Sequence, residues 1–192
     1  MENVTLCVEI VPVGMLQTNC YILSREGSNA CVVVDPGGEA KRILTAVGEK
    51  RIAAVLLTHG HFDHISAVDG IMQPGTALYI HHADADMLRD PRLNVSWMIG
   101  RNVTVASEAQ TVREGSVIEA AGICFTVLHT PGHTPGSCCY LAENVLLTGD
   151  TLFENGGYGR VDLPGGSGAD MMRSLDRLSE ITPGKTIYPG HG

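Results

Sequence analysis

Four times along this chain a short apolar run breaks off at a loop holding histidine or aspartate, and that repetition limits what it can fold into. Ala53–Leu57 ends at Thr58-His59-Gly60-His61-Phe62-Asp63-His64. Ile123–Leu128 precedes His133 in Thr-Pro-Gly-His-Thr-Pro-Gly, Val145–Leu147 precedes Asp150 in Thr-Gly-Asp, and Thr186–Tyr188 precedes His191 in Pro-Gly-His-Gly. Short apolar runs bounded by Gly and Pro read as buried strands. Strands aligned in sheets deliver their C-terminal loops to one edge, so the four loops gain a common address. Gly and Pro beside each polar residue permit tight turns and leave room for an ion.

The remaining pattern supplies the layers. Leu6–Val11, Cys20–Leu23 and Ala30–Val34 read as strands, and Glu39–Glu49 as a helix with Ala40, Ile43, Leu44 and Val47 on one face. A helix is expected over Ile65–Met72 and another over Ala83–Leu88, within an otherwise irregular stretch at 81–111. Val117–Ala120, Ile123–Leu128, Ser137–Leu141 and Val145–Leu147 then lead to a helix around Ala169–Ile181. Two sets of strands, each followed by helix, predict an α/β chain built as a four-layer αβ/βα sandwich. With 192 residues, 44% hydrophobic and 18% charged, and no linker, residues 1–192 read as one globular domain.

The chemistry concentrates first at residues 58–64. Imidazole nitrogen and carboxylate oxygen suit zinc, iron, manganese or nickel. His59 and His61 alternate and can share an ion; Asp63 and His64 are adjacent, point apart, and suit a neighbouring second ion. His133 or His191 alone would read as a surface residue and Asp150 alone as a turn former. Beside the first motif they read as one constellation.

Composition excludes several classes. The net charge is -8 with no Lys/Arg-rich run, which argues against nucleic acid. The start, MENVTLCVEI, carries Glu2 and no basic region ahead of an apolar one, unlike a signal peptide. The apolar runs are too short to span a bilayer. A cytoplasmic protein without a membrane partner is expected. Six cysteines (Cys7, Cys20, Cys31, Cys124, Cys138, Cys139) lie mostly in strand-like runs without a CxxC pair, and are expected as free buried thiols.

His-x-His-x-Asp-His at 59–64, then His133, Asp150 and His191 in that order, resemble the motifs of the metallo-β-lactamase superfamily over nearly the whole chain. The resemblance implies one ion on His59, His61 and His133, a second on Asp63, His64 and His191, and Asp150 bridging them. Thr-Pro-Gly-His-Thr-Pro-Gly-Ser and Gly-Asp-Thr-Leu-Phe look most like the short glyoxalase II (hydroxyacylglutathione hydrolase) branch. An aspartate at 150 is unlike the antibiotic-degrading enzymes that place cysteine at the corresponding position.

That branch implies a thioesterase with two divalent ions, zinc foremost and iron or manganese as alternatives. Metal-bound hydroxide would attack an acyl carbonyl, with Asp63 able to accept a proton while ligating. Two such ions outweigh the negative charge of Asp63, Asp150 and a hydroxide, which suits a small anionic acyl-thioester. Full-length glyoxalase II enzymes add a C-terminal helical region that contacts glutathione; this sequence stops just after His191, so glutathione recognition does not carry over.

Other residues keep two readings each. Arg160, in the glycine-rich stretch Asn155–Gly168, would hold a substrate carboxylate or pair with Asp162. His129 would support His133 or make a strand-end hydrogen bond, while His81 and His82 would cap a helix or face solvent. Trp97 and Met98 are expected in the core, with the substrate entrance as the alternative. Gly-Arg-Val-Asp at 159–162 also resembles the persulfide dioxygenase branch, which holds one iron on the equivalents of His59, His133 and Asp150. Lactonase or phosphodiesterase chemistry and a non-catalytic metal-binding module complete the alternatives.

Overall fold

The computed structural model describes residues 4–192. Residues 1–3, including the Glu2 used in reading the N-terminus, lie outside the described residues. Among the described residues, eleven strands form two sheets. The first is ordered β1 (Leu6–Val13), β2 (Thr18–Arg25), β3 (Ala30–Val34), β4 (Arg51–Leu56), β5 (Ala77–His81) and β6 (Gln110–Val112). β1 to β3 pair antiparallel, and β3 to β6 run parallel. The second sheet contains β7 (Val117–Ala120), β8 (Ile123–His129), β9 (Cys138–Ala142), β10 (Val145–Gly149) and β11 (Thr186–Pro189). Its spatial order is the reverse of the sequence, and only β10 and β11 pair parallel.

Side chains alternate across each strand, so strands buried on both faces feed two cores. In β3, Val32 and Val34 face the second sheet, where they meet Phe125, Val127, Tyr140 and Leu147. Cys31 and Val33 face the other way, toward helix α1 (Ala40–Val47) and the short helices α2 (Phe62–Ile65) and α3 (Val68–Ile71). Beyond the second sheet, Leu128, Cys139 and Leu146 pack on Leu178 of α4 (Gly168–Ile181). Helices, sheet, sheet and helix make the four layers expected. α4 begins at Ser167, whose hydroxyl accepts the Asp170 N–H at 3.2 Å, an N-cap of the usual kind.

Both sheets are stitched together at the edge where the loops gather. Tyr140 Oη donates to the Leu57 carbonyl at 2.9 Å, and the Cys138 N–H to the Thr58 carbonyl at 2.9 Å. The Asn19 N–H donates to the Gly190 carbonyl at 2.8 Å, holding the last loop to β2.

Several expectations shift. The helix expected over Ile65–Met72 is two separate four-residue turns that begin inside the motif, at Phe62. His82–Leu88 winds as a 3-10 rather than an α-helix, β5 precedes it unassigned in the sequence reading, and a 3-10 turn at Ser96–Ile99 and β6 organise the stretch read as irregular. All six cysteines are free, but Cys7 and Cys124 are exposed, because they fall on the outward phase of edge-region strands. Among the described residues no helix is long and apolar enough to cross a membrane.

Candidate metal centre

The loops after β4, β8, β10 and β11 bring all seven candidate ligands together. His59, His61 and His133 form one group whose donor atoms lie within 4.8 Å of one another; Asp63, His64 and His191 form another; and Asp150 groups with His59 and His64. His191 Nε2 stands 3.2 Å from Asp63 Oδ2, and His64 Nε2 stands 3.5 Å from the same oxygen and 3.4 Å from His191 Nε2. Asp150 reaches both groups, Oδ1 at 3.5 Å from His64 Nε2 and Oδ2 at 3.4 Å from His133 Nε2. Donors about 2.0–2.2 Å from a tetrahedral ion sit about 3.3–3.6 Å from one another, so these spacings are those of ligands around a shared cation.

Hydrogen bonds on the far side of His59, His133 and His191 fix which nitrogen of each faces inward. The Thr58 hydroxyl donates to Asp35 Oδ2 at 2.7 Å, so toward His59 Nδ1, 3.1 Å away, it can only accept. His59 therefore carries its proton on Nδ1 and turns a bare Nε2 into the cluster. His133 Nδ1 donates to the Arg160 carbonyl at 2.7 Å and His191 Nδ1 to the Leu16 carbonyl at 3.1 Å, with the same consequence. Asp35 Oδ2 lies 2.9 Å from His64 Nδ1, an ion-pair distance without a straight hydrogen bond. His61 is turned the other way, its Nδ1 facing His133 Nε2 at 2.8 Å.

The donor set fits a cation. His59 Nε2 and Asp150 Oδ1, both turned into the cluster, are buried without a hydrogen-bond partner, an arrangement that costs stability unless another group satisfies them. Burial, reinforced by neighbouring histidines, holds His59 well below its ordinary range and pushes His61 down to about 3, the neutral form that ligation needs. Burial opposes charge on His64 as well, yet Asp63, Asp35 and Asp150 overcome it and lift that ring to about 10. Burial likewise opposes ionisation of Asp63, but His64 and His191 hold its carboxyl below the usual range. The carboxylates thus demand positive charge at this point, and a proton on His64 supplies it where an ion would.

Two buried aspartates that the sequence reading passed over hold the loops. Asp35 Oδ1 accepts the Thr58 N–H at 2.8 Å, in addition to its contacts with Thr58 Oγ1 and His64. Its φ of 50° is in the left-handed region, which aspartate tolerates better than bulkier residues. Asp84 accepts from the Gly60 N–H at 3.0 Å, the Thr134 hydroxyl at 2.6 Å and the Gly136 N–H at 2.6 Å, so it ties the His59–His61 loop to the His133 loop. Burial raises its pKa, while those three donors act in the opposite direction. The apolar-run-then-aspartate pattern of Val34-Asp35-Pro36-Gly37 was a signal for the first; no local pattern marks Asp84.

Arg160 contributes its carbonyl to His133, and its guanidinium grips Asp162 through Nε and Nη2, both at 2.7 Å. His129 Nε2 donates to the Pro135 carbonyl at 2.9 Å, and the ring stacks on His81 with centroids 4.0 Å apart. His81 Nδ1 accepts the Ala83 N–H at the start of the 3-10 turn, and His82 is exposed. The core expectation for Trp97 and Met98 is overturned: they are 55% and 54% exposed. Left-handed backbone at Val95 and Gly100 reverses the chain around them, so Ser96 is buried and the next three residues face out.

The metallo-β-lactamase superfamily model matches residues 13–191. The chain belongs to the metallo-β-lactamase superfamily. Hydroxyacylglutathione hydrolase GloC of Haemophilus influenzae is 32% identical over 193 residues, which cover 96% of this chain and 90% of that protein. The crystal structure of the BLEG-1 B3 metallo-β-lactamase is similar at TM-score 0.86 and 36% identity, covering 97% of this chain and 92% of that one. TTHA1623, solved in a di-iron-bound form, is similar at TM-score 0.84 and 31% identity, covering 96% and 92%. The superfamily binds divalent metals, and this member carries His/Asp clusters of that kind. It is a metal-dependent hydrolase by family.

Proposed function

We propose that the chain is a dinuclear metal-dependent thioesterase of glyoxalase II type. The observation that carries this reading is Asp150, whose two oxygens lie within 3.6 Å of His64, His133 and His191, spanning two ligand groups that each have three further or shared donors. In this reading His59, His61 and His133 hold one ion, Asp63, His64 and His191 the other, and Asp150 both. Zinc is the ion proposed, with iron and manganese suited to the same donors. Two divalent ions held there would supply hydroxide at neutral pH, because coordination lowers the pKa of water from about 15.7 to roughly 7.

The chain's own part is orientation and proton handling. Thr58, Asp35, the Arg160 carbonyl and the Leu16 carbonyl fix the rings, so the donors need little rearrangement during reaction. Asp63 lines the cleft and would accept a proton there while ligating. A thiol has a pKa near ~8.5, so its thiolate leaves without a strong general acid. That suits a cleft in which, among the described residues, Asp63 and Asp150 are the only carboxyl groups of the lining.

The deciding experiment pairs metal content per chain, on protein purified without added metal, with hydrolysis of S-lactoylglutathione and of a neutral acyl thioester. Two ions per chain with thioester turnover supports the reading. One iron with oxygen uptake dependent on glutathione persulfide would replace it with the dioxygenase. Turnover confined to a lactone or a β-lactam would move the substrate class, and full metal loading without any turnover would leave a binding module.

A further inference from the structure

The candidate ligand cluster opens into a cleft of about 250 Å³ whose non-ligand walls are apolar apart from Arg160. Met15, Leu16, Phe62, Met98, Ile99 and Leu163 make these walls. Met15 is 64% exposed, Leu16 51%, Met98 54% and Ile99 38%, so four large apolar side chains face water at one opening. Each such side chain left in water forgoes roughly 1.5–3 kcal/mol of burial, and a contiguous apolar rim around a polar centre is characteristic of a ligand site. Among the described residues, Arg160 is the single lysine or arginine of the lining, and Asp162 already occupies its Nε and Nη2.

Both lips are built rather than loose. The first is the turn between β1 and β2, closed by the Gln17 amide donating to the Gly14 carbonyl at 2.8 Å and by the Gly14 N–H donating to Glu39 Oε2 at 2.9 Å. Its Leu16 carbonyl is the acceptor for His191 Nδ1. The second is the segment around the Ser96–Ile99 turn. The buried Asn94 amide donates to the Met87 carbonyl at 2.8 Å and the Val103 carbonyl at 2.9 Å, and the Asn94 carbonyl accepts the Phe62 N–H at 3.0 Å. Val95, buried behind this lip, is held at a φ of 58°, a costly conformation for a β-branched residue. Each lip is therefore hydrogen-bonded to a loop that carries candidate ligands, which fixes its distance from the reacting centre.

We infer that this cleft is a subsite for an apolar acyl group, so that the thioester taken by the enzyme proposed above carries an uncharged aliphatic or aromatic acyl chain lying between Met15–Leu16 and Met98–Ile99. The inference rests on that reading for the word thioester, but the subsite itself can be tested without turnover. Zinc-loaded protein is titrated calorimetrically with straight-chain alkyl hydroxamates, from acetohydroxamate to octanohydroxamate, whose heads bind the metal alike and whose tails alone differ.

The expected result is a Kd that falls by up to about fourfold per methylene until the cleft is filled. Met98→Gln and Leu16→Gln each flatten that slope, because both keep the backbone contacts and remove apolar surface. A Kd independent of chain length overturns the inference. So does tighter binding of a tail ending in carboxylate than of a methyl-ended tail of equal length, which would assign the cleft to an anion and Arg160 to its recognition. A steep slope without thioester hydrolysis removes the thioesterase reading and leaves the subsite; hydrolysis with a flat slope does the reverse.

Discussion

Asp84 Oδ2 accepts the hydroxyl proton of Thr134 at 2.6 Å, and this buried contact joins residues fifty positions apart. Thr134 follows His133, and the same Asp84 oxygen takes the N–H of Gly60, which lies between His59 and His61. Asp84→Asn keeps the shape but places an amide NH₂ against at least one of three donors. Hydrogen bonds to a buried charge are worth about 1.5–3 kcal/mol each, so a loss of about 2–3 kcal/mol in urea unfolding is expected. Affinity at the His59–His61–His133 group should fall about 10–100-fold, as for lost supports of metal ligands. A competition titration of zinc checks it, and unchanged affinity and stability would show the bridge to be dispensable.

The candidate ligands and the residues that support them differ in how legible they are in the sequence. His59, His61, Asp63, His64, His133, Asp150 and His191 could be picked out because their residue types are chemically specific and each follows an apolar run. Asp35 and Asp84 work by accepting hydrogen bonds from loops 23 to 52 positions away, and while Asp35 at least follows an apolar run, nothing local marks Asp84. The other strands of both sheets were visible as short apolar runs, but β5 and β6 were not: β5 is only five residues long and β6 only three. Trp97 and Met98 were misplaced because hydrophobicity states a preference for burial and not which partner provides it.

Gly190 is required for space. A Cβ there would stand 2.2 Å from Asp150 Oδ1 and 2.8 Å from His64 Cε1. Gly190→Ala must therefore displace Asp150, the residue common to both groups. Far-ultraviolet circular dichroism should change little, because the position lies past β11, while bound metal should drop and hydrolysis fall by at least about 100-fold if Asp150 spans both ions. A Gly190→Ala protein with full metal content would place Asp150 outside the site.

Metal removal should destabilise the chain and bind protons. Without an ion, the cluster leaves buried nitrogens without partners and gathers three carboxylates around His64. Zinc at about 1,000 times its Kd contributes about 4 kcal/mol per site, or roughly 8–16 °C in Tm for a chain of this size. His64, lifted to about 10, is protonated at pH 7 in the apo protein and must release that proton on ligation, whereas His61, pushed down to about 3, has none to give. Binding therefore weakens as pH falls. Calorimetry at pH 7 in buffers of differing ionisation enthalpy should register proton release; equal heats in all buffers would contradict it.

Asp69 offers a test away from the metal. Its carboxylate accepts the Ala106 N–H at 2.7 Å, and the Ser107 N–H and hydroxyl at 2.9 Å and 2.7 Å, pinning the strand-free segment that follows the Ser96–Ile99 turn. Partial burial opposes ionisation, but these donors hold its pKa below the ordinary value. A depressed folded pKa means that the stability it contributes is fully present above the unfolded value of about 3.9 and is lost as pH falls through the lower folded one. Since the residue is exposed, the contribution should be about 1 kcal/mol or less. Urea midpoints of the wild-type chain and Asp69→Asn should thus differ at pH 6 and converge as the pH drops below 3.9. A gap that stays constant through that range would assign the effect to packing instead of to the carboxylate's charge.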